Sequence, residues 1–466
     1  MEILSTLCTR DIADRARRFW AWSAQKLERL YARWKFDDGA PVFTVHGQYT
    51  SRGWTDWTRG FLHGSALLQY EATGEESFLR MGMDGTLRDM TPYVTHFGVH
   101  DHGFNCISTF GTLWRWMEEG RLTATLELRR HVELALQVSG CVQARRWTDL
   151  GNGFGYVYSF NGPHSLFVDT LRSMRSLALA HRLGAALHGE QDRVDSLLVR
   201  WAAHLRTTLQ YNVYYGEGRD IYDEPGRVAH ESLFNPLNGS YRCPSTQQGY
   251  SPFSTWTRGL AWALLGCAEE LEFTDILSPT ERGAVQADEL VAALRRAATV
   301  TAEFYVRHSS LDGLPPWDTG APGLTALGDW RSRPADPWND HEPFDSSAAA
   351  IAAQGFLRFG HWLARHGEPE AGRRWQQAGL TLTRTLLDPA YLIEDEHHEG
   401  LLRHAVYHRP RGWDAIPPGR RIPCGESCLW GDYHLRELVL YVQRMANGGP
   451  LWTFFGSGFP AEETLL

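Results

Sequence analysis

The chain is predicted to be all-α, an (α/α)6 barrel built from six helical hairpins. Hydrophobic periodicity indicates about twelve helices and few strands in the 466 residues. Every second predicted helix is apolar or small on nearly all of its faces and must therefore be buried, whereas its neighbours are amphipathic. Buried helices that alternate six times with half-solvated ones are what an inner and an outer ring would produce.

The predicted helices are joined by loops of very uneven length. The helices are placed at residues 9–35, 57–73, 76–91, 104–119, 122–144, 165–184, 187–211, 255–272, 279–308, 346–365, 367–387 and 427–445. Segments 259–268 and 346–357 are rich in Ala, Gly and Ser, which favours close contact between helices. The long loops 212–253, 309–344 and 388–426 contain many Trp, Tyr and His residues, and loops of this length are usually functional when they are ordered.

We predict a single catalytic domain over residues 1–466, with the N-terminal helical segment 1–50 as part of it. Pro and Gly cluster between the predicted helices instead of forming a linker, and no block of like charges stands out. Barrel folds often reach this length as one domain. The sequence carries no indication of an oligomeric state.

Composition excludes several classes of protein. A net charge of -9 and a pI near 6.1 argue against nucleic-acid binding, which needs a basic surface. No stretch approaches the roughly 20 apolar residues of a membrane span, and the first residues lack the apolar core of a secretory signal. Seven widely spaced cysteines suit a reducing compartment, so a cytoplasmic protein is expected.

The nineteen tryptophans are more than a core of this size needs. They suit two roles, bulky filling between helices and stacking against sugar rings. The composition alone leaves both roles open for any single Trp.

Each of the six buried helices begins at a loop with polar and aromatic residues. Helix starts on one side of a ring share one rim, so we expect the functional site there. The six starts lie at residues 56–61, 100–104, 168–170, 256–259, 345–347 and 429–433.

Asp101 and Asp169 stand at the starts of neighbouring inner helices and are the best candidate acids. Two carboxylates in a closed aromatic pocket can have pKa values far enough apart for one to act as acid and the other as base or orienting group. A second interpretation remains open at this point. Asp is a preferred N-cap residue, and such a cap would need no chemistry.

Arg258 lies between Trp256 and Trp262 on one inner helix. Its guanidinium suits a two-pronged contact with a substrate carboxylate, and equally a buried ion pair with an acidic neighbour. His230 and Gln248, in the loop 212–253, are candidate ligand contacts, although a lone loop histidine is more often structural or exposed.

No metal or cofactor is expected. Cys424 and Cys428 have no second pair of Cys or His ligands nearby, which a zinc site would need. The Gly-rich stretch 151–155 lacks the Lys and the strand-to-helix context of a phosphate-binding loop.

Seven short motifs, in order from residue 56 onward, resemble the unsaturated glucuronyl hydrolases, glycoside hydrolase family 88. Each motif alone is weak, whereas seven in the family's order are specific. They are residues 56–62 for the family's DWTxGFW, 100–104 for HDxGF, Asp169 before the third inner helix, 247–249 with 255–262 for HQG and TWTRGQAW, 316–318 for a YWD-like motif, 345–348 for DSSA, and 430–433 for WGDY.

The resemblance implies hydration of a 4,5-unsaturated uronic acid at the non-reducing end of oligosaccharides that polysaccharide lyases release. It implies that Asp169 donates the proton and then activates water, while Asp101 holds substrate hydroxyls and keeps Asp169 protonated through like-charge proximity. The partner is then an anionic unsaturated di- or oligosaccharide. The implied substrate contacts are Trp57, His100, Trp147, His230, Gln248, Arg258 and Trp262.

Three positions depart from the family pattern. Arg59 replaces a carboxylate, Gln247 replaces a His, and Ser173 stands where an Asn usually follows the catalytic Asp by four residues. In addition, residues 320–344, with Arg331 and Arg333, are longer than usual. We expect this insertion to border the aglycone subsite, where it would bind a sulfate or a second sugar.

Other functions fit the same predicted fold, since fold does not determine function. One alternative is hydrolysis of saturated glucuronides or of unsaturated rhamnogalacturonan fragments. An amino-sugar epimerase would need two well-placed His bases, and the acid pair here is stronger than any His pair. A sugar-binding protein without catalysis would not need Asp169.

Overall fold

Helices make up most of the chain that the computed structural model describes, residues 1–52 and 56–459. Residues 53–55 and 460–466 of the predicted single domain, and the side chains of Phe36, Asp56, Ser457 and Phe459, lie outside this description. Within it, no helix is long and apolar enough to cross a membrane. All seven cysteines are free thiols.

The helices fall close to the predicted positions. They are α1 (Arg10–Arg33), α2 (Arg59–Thr73), α3 (Glu76–Gly85), α4 (His102–Cys106), α5 (Thr112–Glu118), α6 (Leu126–Arg145), α7 (Thr170–Ser173), α8 (Arg175–Arg182), α9 (Leu197–Tyr211), α10 (Thr257–Thr274), α11 (Pro279–Ala284), α12 (Ala287–Arg307), α13 (Ser346–Arg365), α14 (Pro369–Leu386) and α15 (Leu429–Ala446). The predicted helix at 279–308 is interrupted at Gln286, whose φ of 47° is left-handed.

Six buried helical segments pack against one another in a closed circuit. In order, α2 contacts α4, α4 contacts α7, α7 contacts α10, α10 contacts α13, α13 contacts α15, and α15 returns to α2. Most of these inner helices have a more exposed helix behind them: α3 packs on α2, α6 on α4, α12 on α10 and α14 on α13. Every residue of α10 is buried, as predicted for an inner helix.

Small residues allow the inner helices to approach closely. A Cβ added at Gly355 of α13 would lie 2.8 Å from the side chain of Leu264 and 3.0 Å from the backbone nitrogen of Leu265 in α10. A larger residue would force these helices apart. This contact explains why the segments 259–268 and 346–357 are rich in Ala and Gly.

Short antiparallel strands connect the helices. They are β1 (Pro41–Val45), β2 (Gln48–Ser51), β3 (Trp147–Gly151), β4 (Phe154–Val157), β5 (Ser165–Phe167), β6 (Leu187–His188), β7 (Val194–Asp195), β8 (Glu231–Phe234), β9 (Tyr241–Ser245), β10 (Leu451–Thr453) and β11 (Gly456–Phe459).

Three of these strands or hairpins lie in segments predicted to be helical, the first of them in the N-terminal segment 1–50. Residues 41–51 form the hairpin β1–β2, because His46 and Gly47 both have positive φ and make a tight turn between alternating residues. The predicted helix 187–211 begins only at Leu197, because Gln191 and Asp192 are left-handed and turn β6 back onto β7. The predicted helix 165–184 likewise begins with a strand, β5, which pairs with β8.

A cluster of buried charges fills the centre of the helix circuit. Arg172 of α7 donates to Glu269 of α10 at 2.8 Å and to Glu437 of α15 at 3.0 Å, and Arg175 donates to Glu269 at 3.1 Å. All four side chains are almost completely buried. The guanidinium of Arg172 lies 5.6 Å from the ring centre of Trp262, so the cluster sits directly behind that indole.

Candidate active site

A cleft opens where the inner helices begin, at the rim that the sequence predicts. Its volume is about 670 Å³, solvent-open mouth included. Helix starts supply its floor, and the loops before α10 and α15 supply much of its wall. The lining residues are Trp57, His100, Asp101, Phe104, Phe160, Phe167, Asp169, Gln247, Gln248, Trp256, Arg258, Trp262, Tyr407, His408, Arg411 and Trp413.

Asp101 and Asp169 occupy the N-cap positions of α4 and α7, but neither carboxylate caps its helix. Asp345, by contrast, caps α13 by accepting the backbone N–H of Ser347 at 3.0 Å. The capping interpretation therefore holds for Asp345 and fails for the acid pair. Because the two carboxylates are not used as caps, both remain available to the cleft.

His100 lies between the two carboxylates. Its Nε2 is 3.8 Å from Oδ1 of Asp101 and 3.8 Å from Oδ2 of Asp169. The imidazole stacks on Phe160 and meets the edge of Phe167. These contacts place one titratable ring between two nearly buried acids.

The pKa shifts reverse the expected relation between the acids. Burial raises the pKa of Asp101, and the charge of Asp169 adds to that rise against the opposing charge of His100. Burial also acts to raise the pKa of Asp169, but the contact with His100 outweighs it and holds the pKa below its usual value. Burial opposes the charged form of His100, yet the two acids raise its pKa. In the substrate-free protein the pKa of Asp101 therefore lies above that of Asp169.

The same three side chains are the one group of metal-ligand type among the described residues. A nitrogen of His100 and one oxygen each of Asp101 and Asp169 lie within 4.8 Å of one another. Such a spacing would suit a cation, but an acid pair with an intervening imidazole is equally suited to moving protons.

Arg258 lines the cleft, but its charge is already paired. One terminal nitrogen reaches Asp345 at 3.3 Å and the carbonyl of Val406, while the other reaches Gln248 at 2.7 Å and the carbonyl of Tyr407 at 2.8 Å. These four acceptors occupy the pair of terminal nitrogens that a two-pronged carboxylate clamp would use. Arg258 therefore forms a buried ion pair in the substrate-free protein, and its predicted contact with a substrate carboxylate stays a prediction.

His230 lies behind the cleft wall instead of on it. Its Nδ1 accepts the backbone N–H groups of Gln247 at 3.1 Å and Gln248 at 3.4 Å. Burial lowers the pKa of His230, so the ring is neutral, with its proton on Nε2. His230 thus positions the loop that presents Gln247 and Gln248 to the cleft.

Two of the three predicted aromatic contacts line the cleft. Trp57 is stacked on Trp430 at 5.1 Å, and Trp262 lies against Phe104 at 4.9 Å. Trp147 does not line the cleft. Its indole packs 5.2 Å from the guanidinium of Arg200, and a Cβ on Gly155 would come within 2.3 Å of the ring.

The loop 388–426 supplies wall residues that the sequence analysis missed. Tyr407, His408, Arg411 and Trp413 come from a seven-residue aromatic and basic stretch within it. The aromatic and basic composition of this stretch could have indicated a binding role, but the sequence alone does not say which long loop turns toward the rim. Phe160 and Phe167, also missed, follow the hairpin β3–β4.

The insertion 320–344 does not line the cleft, contrary to expectation. The guanidinium of Arg331 lies over Trp330 at 4.8 Å, and Arg333 donates to the carbonyl of Leu327 at 2.8 Å. Arg59 is also outside the lining, with its guanidinium 5.0 Å from the ring centre of Tyr93.

Known proteins resemble this chain over most of its length, although no protein-family model matches it. It is 28% identical over 424 residues to the unsaturated glucuronyl hydrolase of Bacillus sp. strain GL1, covering 89% of this chain and 93% of that protein. The crystal structure of unsaturated glucuronyl hydrolase from Bacillus sp. GL1 aligns with a TM-score of 0.68 at 23% identity, over 92% of this chain and 97% of that one. A variant of the enzyme from Streptococcus agalactiae, complexed with dGlcA-GalNAc6S, aligns with a TM-score of 0.59 at 17% identity, over 91% and 90%.

Proposed function

We propose that this chain, a distant homologue of the unsaturated glucuronyl hydrolases, hydrates the 4,5 double bond of a non-reducing-end unsaturated uronic acid. The closed circuit of six inner helices, most of them backed by an outer helix, supports an (α/α)6 barrel as its scaffold. The observation that carries the proposal is the acid pair Asp101 and Asp169, nearly buried on either side of His100 in an aromatic cleft.

The unsaturated ring is an enol ether, which sets the order of steps. Asp169 transfers a proton to C4, and the resulting cation is shared by C5 and the ring oxygen. The Asp169 carboxylate then removes a proton from water as the water oxygen bonds to C5. The hemiketal that forms opens by itself, the glycosidic bond breaks, and the aglycone sugar leaves with its hydroxyl restored.

Asp169 must gain a proton before it can act, because its pKa is low in the substrate-free protein. An arriving substrate carboxylate would supply the needed shift, since a second negative charge in a buried site raises the pKa of a nearby acid. Oδ1 of Asp169 is buried without a hydrogen-bond partner in the described structure, so this oxygen can take up a proton without breaking an existing bond. His100 is suited to passing its proton to Asp169 at that moment.

The test is a continuous assay with lyase-generated unsaturated disaccharides. We expect the ultraviolet absorbance of the conjugated double bond to disappear as the free aglycone appears in equal amount. A steady absorbance, with release of uronic acid from a saturated glucuronide, would instead favour ordinary glycoside hydrolysis. Loss of absorbance restricted to rhamnogalacturonan fragments would identify the alternative substrate class.

Arg411 is the cleft-lining cation best placed to contact an anionic group on the aglycone, since the side chain is exposed at the mouth and Arg258 is already paired. For Arg411→Ala we expect KM to rise about fivefold for a disaccharide with a sulfated aglycone and to change little for the unsulfated one, because exposed ion pairs contribute about 1 kcal/mol.

The matched control is Arg331→Ala, which removes an arginine of the insertion that does not line the cleft. It should leave both KM values at the wild-type level. Equal effects of the two substitutions would contradict the assignment of Arg411. They would instead favour the earlier prediction that the segment 320–344 borders the aglycone subsite.

A further inference from the structure

Ser173 is buried where α7 meets the start of α4. It stands four residues after Asp169, at a position where the family pattern usually has Asn. Its hydroxyl makes two hydrogen bonds to the turn that carries Asp101. Oγ donates to the carbonyl of His100 at 2.6 Å and accepts the backbone N–H of Gly103 at 3.0 Å.

The bond to Gly103 replaces the usual cap of α4. Asp101 is the N-cap residue, and Gly103 is the second residue of the helix, whose N–H an N-cap side chain normally accepts. Ser173 takes that donor from a different helix. The Asp101 carboxylate, which is not a cap, can then face His100 and the cleft.

The two helix starts are also held at a fixed distance. A Cβ added to Gly103 would lie 2.3 Å from Cα of Ser173, so the two backbones are in contact. Arg175 strengthens this contact between α7 and α4 by donating to the carbonyl of Gly103 at 2.7 Å. A change of the side chain at position 173 is therefore expected to shift the turn that carries Asp101.

We infer that Ser173 is a positioning residue that caps α4 from α7 and so keeps the Asp101 carboxylate free for the reaction. Without the hydroxyl, the Gly103 N–H is left without its acceptor, and Asp101 is the nearest side chain able to cap it. The carboxylate then turns back onto its own helix and away from His100. The family's Asn, which carries both an acceptor and a donor, could make the same two bonds.

The test compares Ser173→Ala with Ser176→Ala. Ser176 is buried in the next turn and donates to the carbonyl of Ser173 at 2.8 Å, but it does not bond the Asp101 turn. We expect Ser173→Ala to lower kcat/KM by about 10- to 100-fold, since small misplacements of reacting groups have effects of this size. Ser176→Ala should stay near the wild-type value.

A double-mutant cycle with Asp101→Asn separates positioning from general weakening of the fold. If Ser173 acts through Asp101, then Ser173→Ala changes the residual activity of Asp101→Asn by less than about twofold, because residues that act as a unit are non-additive. A crystal structure of Ser173→Ala should show the Asp101 carboxylate bonded to the Gly103 N–H.

Two results would overturn the inference: equal kcat/KM for Ser173→Ala and Ser176→Ala, or an Asp101 side chain that has not moved in the Ser173→Ala crystal. The inference rests on the proposed function, but the experiments distinguish the failure of one from the failure of the other. A wild-type protein that leaves the double bond untouched refutes the proposed function, whereas an active wild type with an equally active Ser173→Ala variant refutes only the role of Ser173.

Discussion

Asp169→Asn is expected to lower kcat for loss of the unsaturated uronic acid by about a thousandfold or more. The substitution keeps the size of the side chain but removes the group that donates the proton and then activates water, and positioned acid–base groups contribute about 10²- to 10⁴-fold. The measurement is the ultraviolet assay at saturating substrate. Substrate binding should persist, because an amide can still donate and accept hydrogen bonds.

Asp149→Asn is the matched control, since Asp149 is an exposed acid on β3 outside the cleft lining. It should retain full activity. Asp101→Asn provides the contrast, because the pKa of Asp101 is the raised one of the pair. If Asp101→Asn is inactive while Asp169→Asn keeps more than about a tenth of the wild-type rate, the acid is Asp101 and the assignment of Asp169 is wrong.

Arg172→Met is expected to destabilise the fold by about 3–5 kcal/mol, because removing one partner of a buried ion cluster leaves charge without compensation. Arg172 is completely buried between Glu269 and Glu437. Urea unfolding followed by circular dichroism measures the change. The double variant Arg172→Met/Glu269→Gln should recover part of the loss.

Arg295→Met is the matched control, since Arg295 pairs with Glu368 at 2.7 Å on the surface. Exposed pairs contribute about 0–1 kcal/mol, so this variant should unfold close to the wild-type midpoint. An unfolding free energy of Arg172→Met within about 1 kcal/mol of the wild type would show that the central cluster is not needed for stability.

The sequence predicts much of the scaffold because inner and outer helices leave a local signature. A helix such as α10, buried on every face, is apolar over its whole length, and that pattern needs no knowledge of its neighbours. The hairpins β1–β2 and β6–β7 were missed because left-handed residues such as His46 and Gln191 decide them. These are turns, and hydrophobic periodicity does not report turns.

The site was predicted less completely, because its contacts join distant parts of the chain. Asp101 and Asp169 were found from their place at helix starts. The pairing of Arg258 with Asp345 spans 87 residues and has no local pattern. The same holds for Arg411, since only the folded path of the loop 388–426 brings it, and not Arg331, to the cleft.

The buried charge cluster behind Trp262 has a consequence for the order of events. Because Arg172, Glu269 and Glu437 are buried behind that indole, the floor of the cleft is closed at Trp262. With the floor closed there, we expect the cleft to accept a terminal sugar and not a chain that passes through it. Under the proposed function, catalysis is therefore restricted to chain ends, and the aglycone must depart before the uronic acid that lies below it.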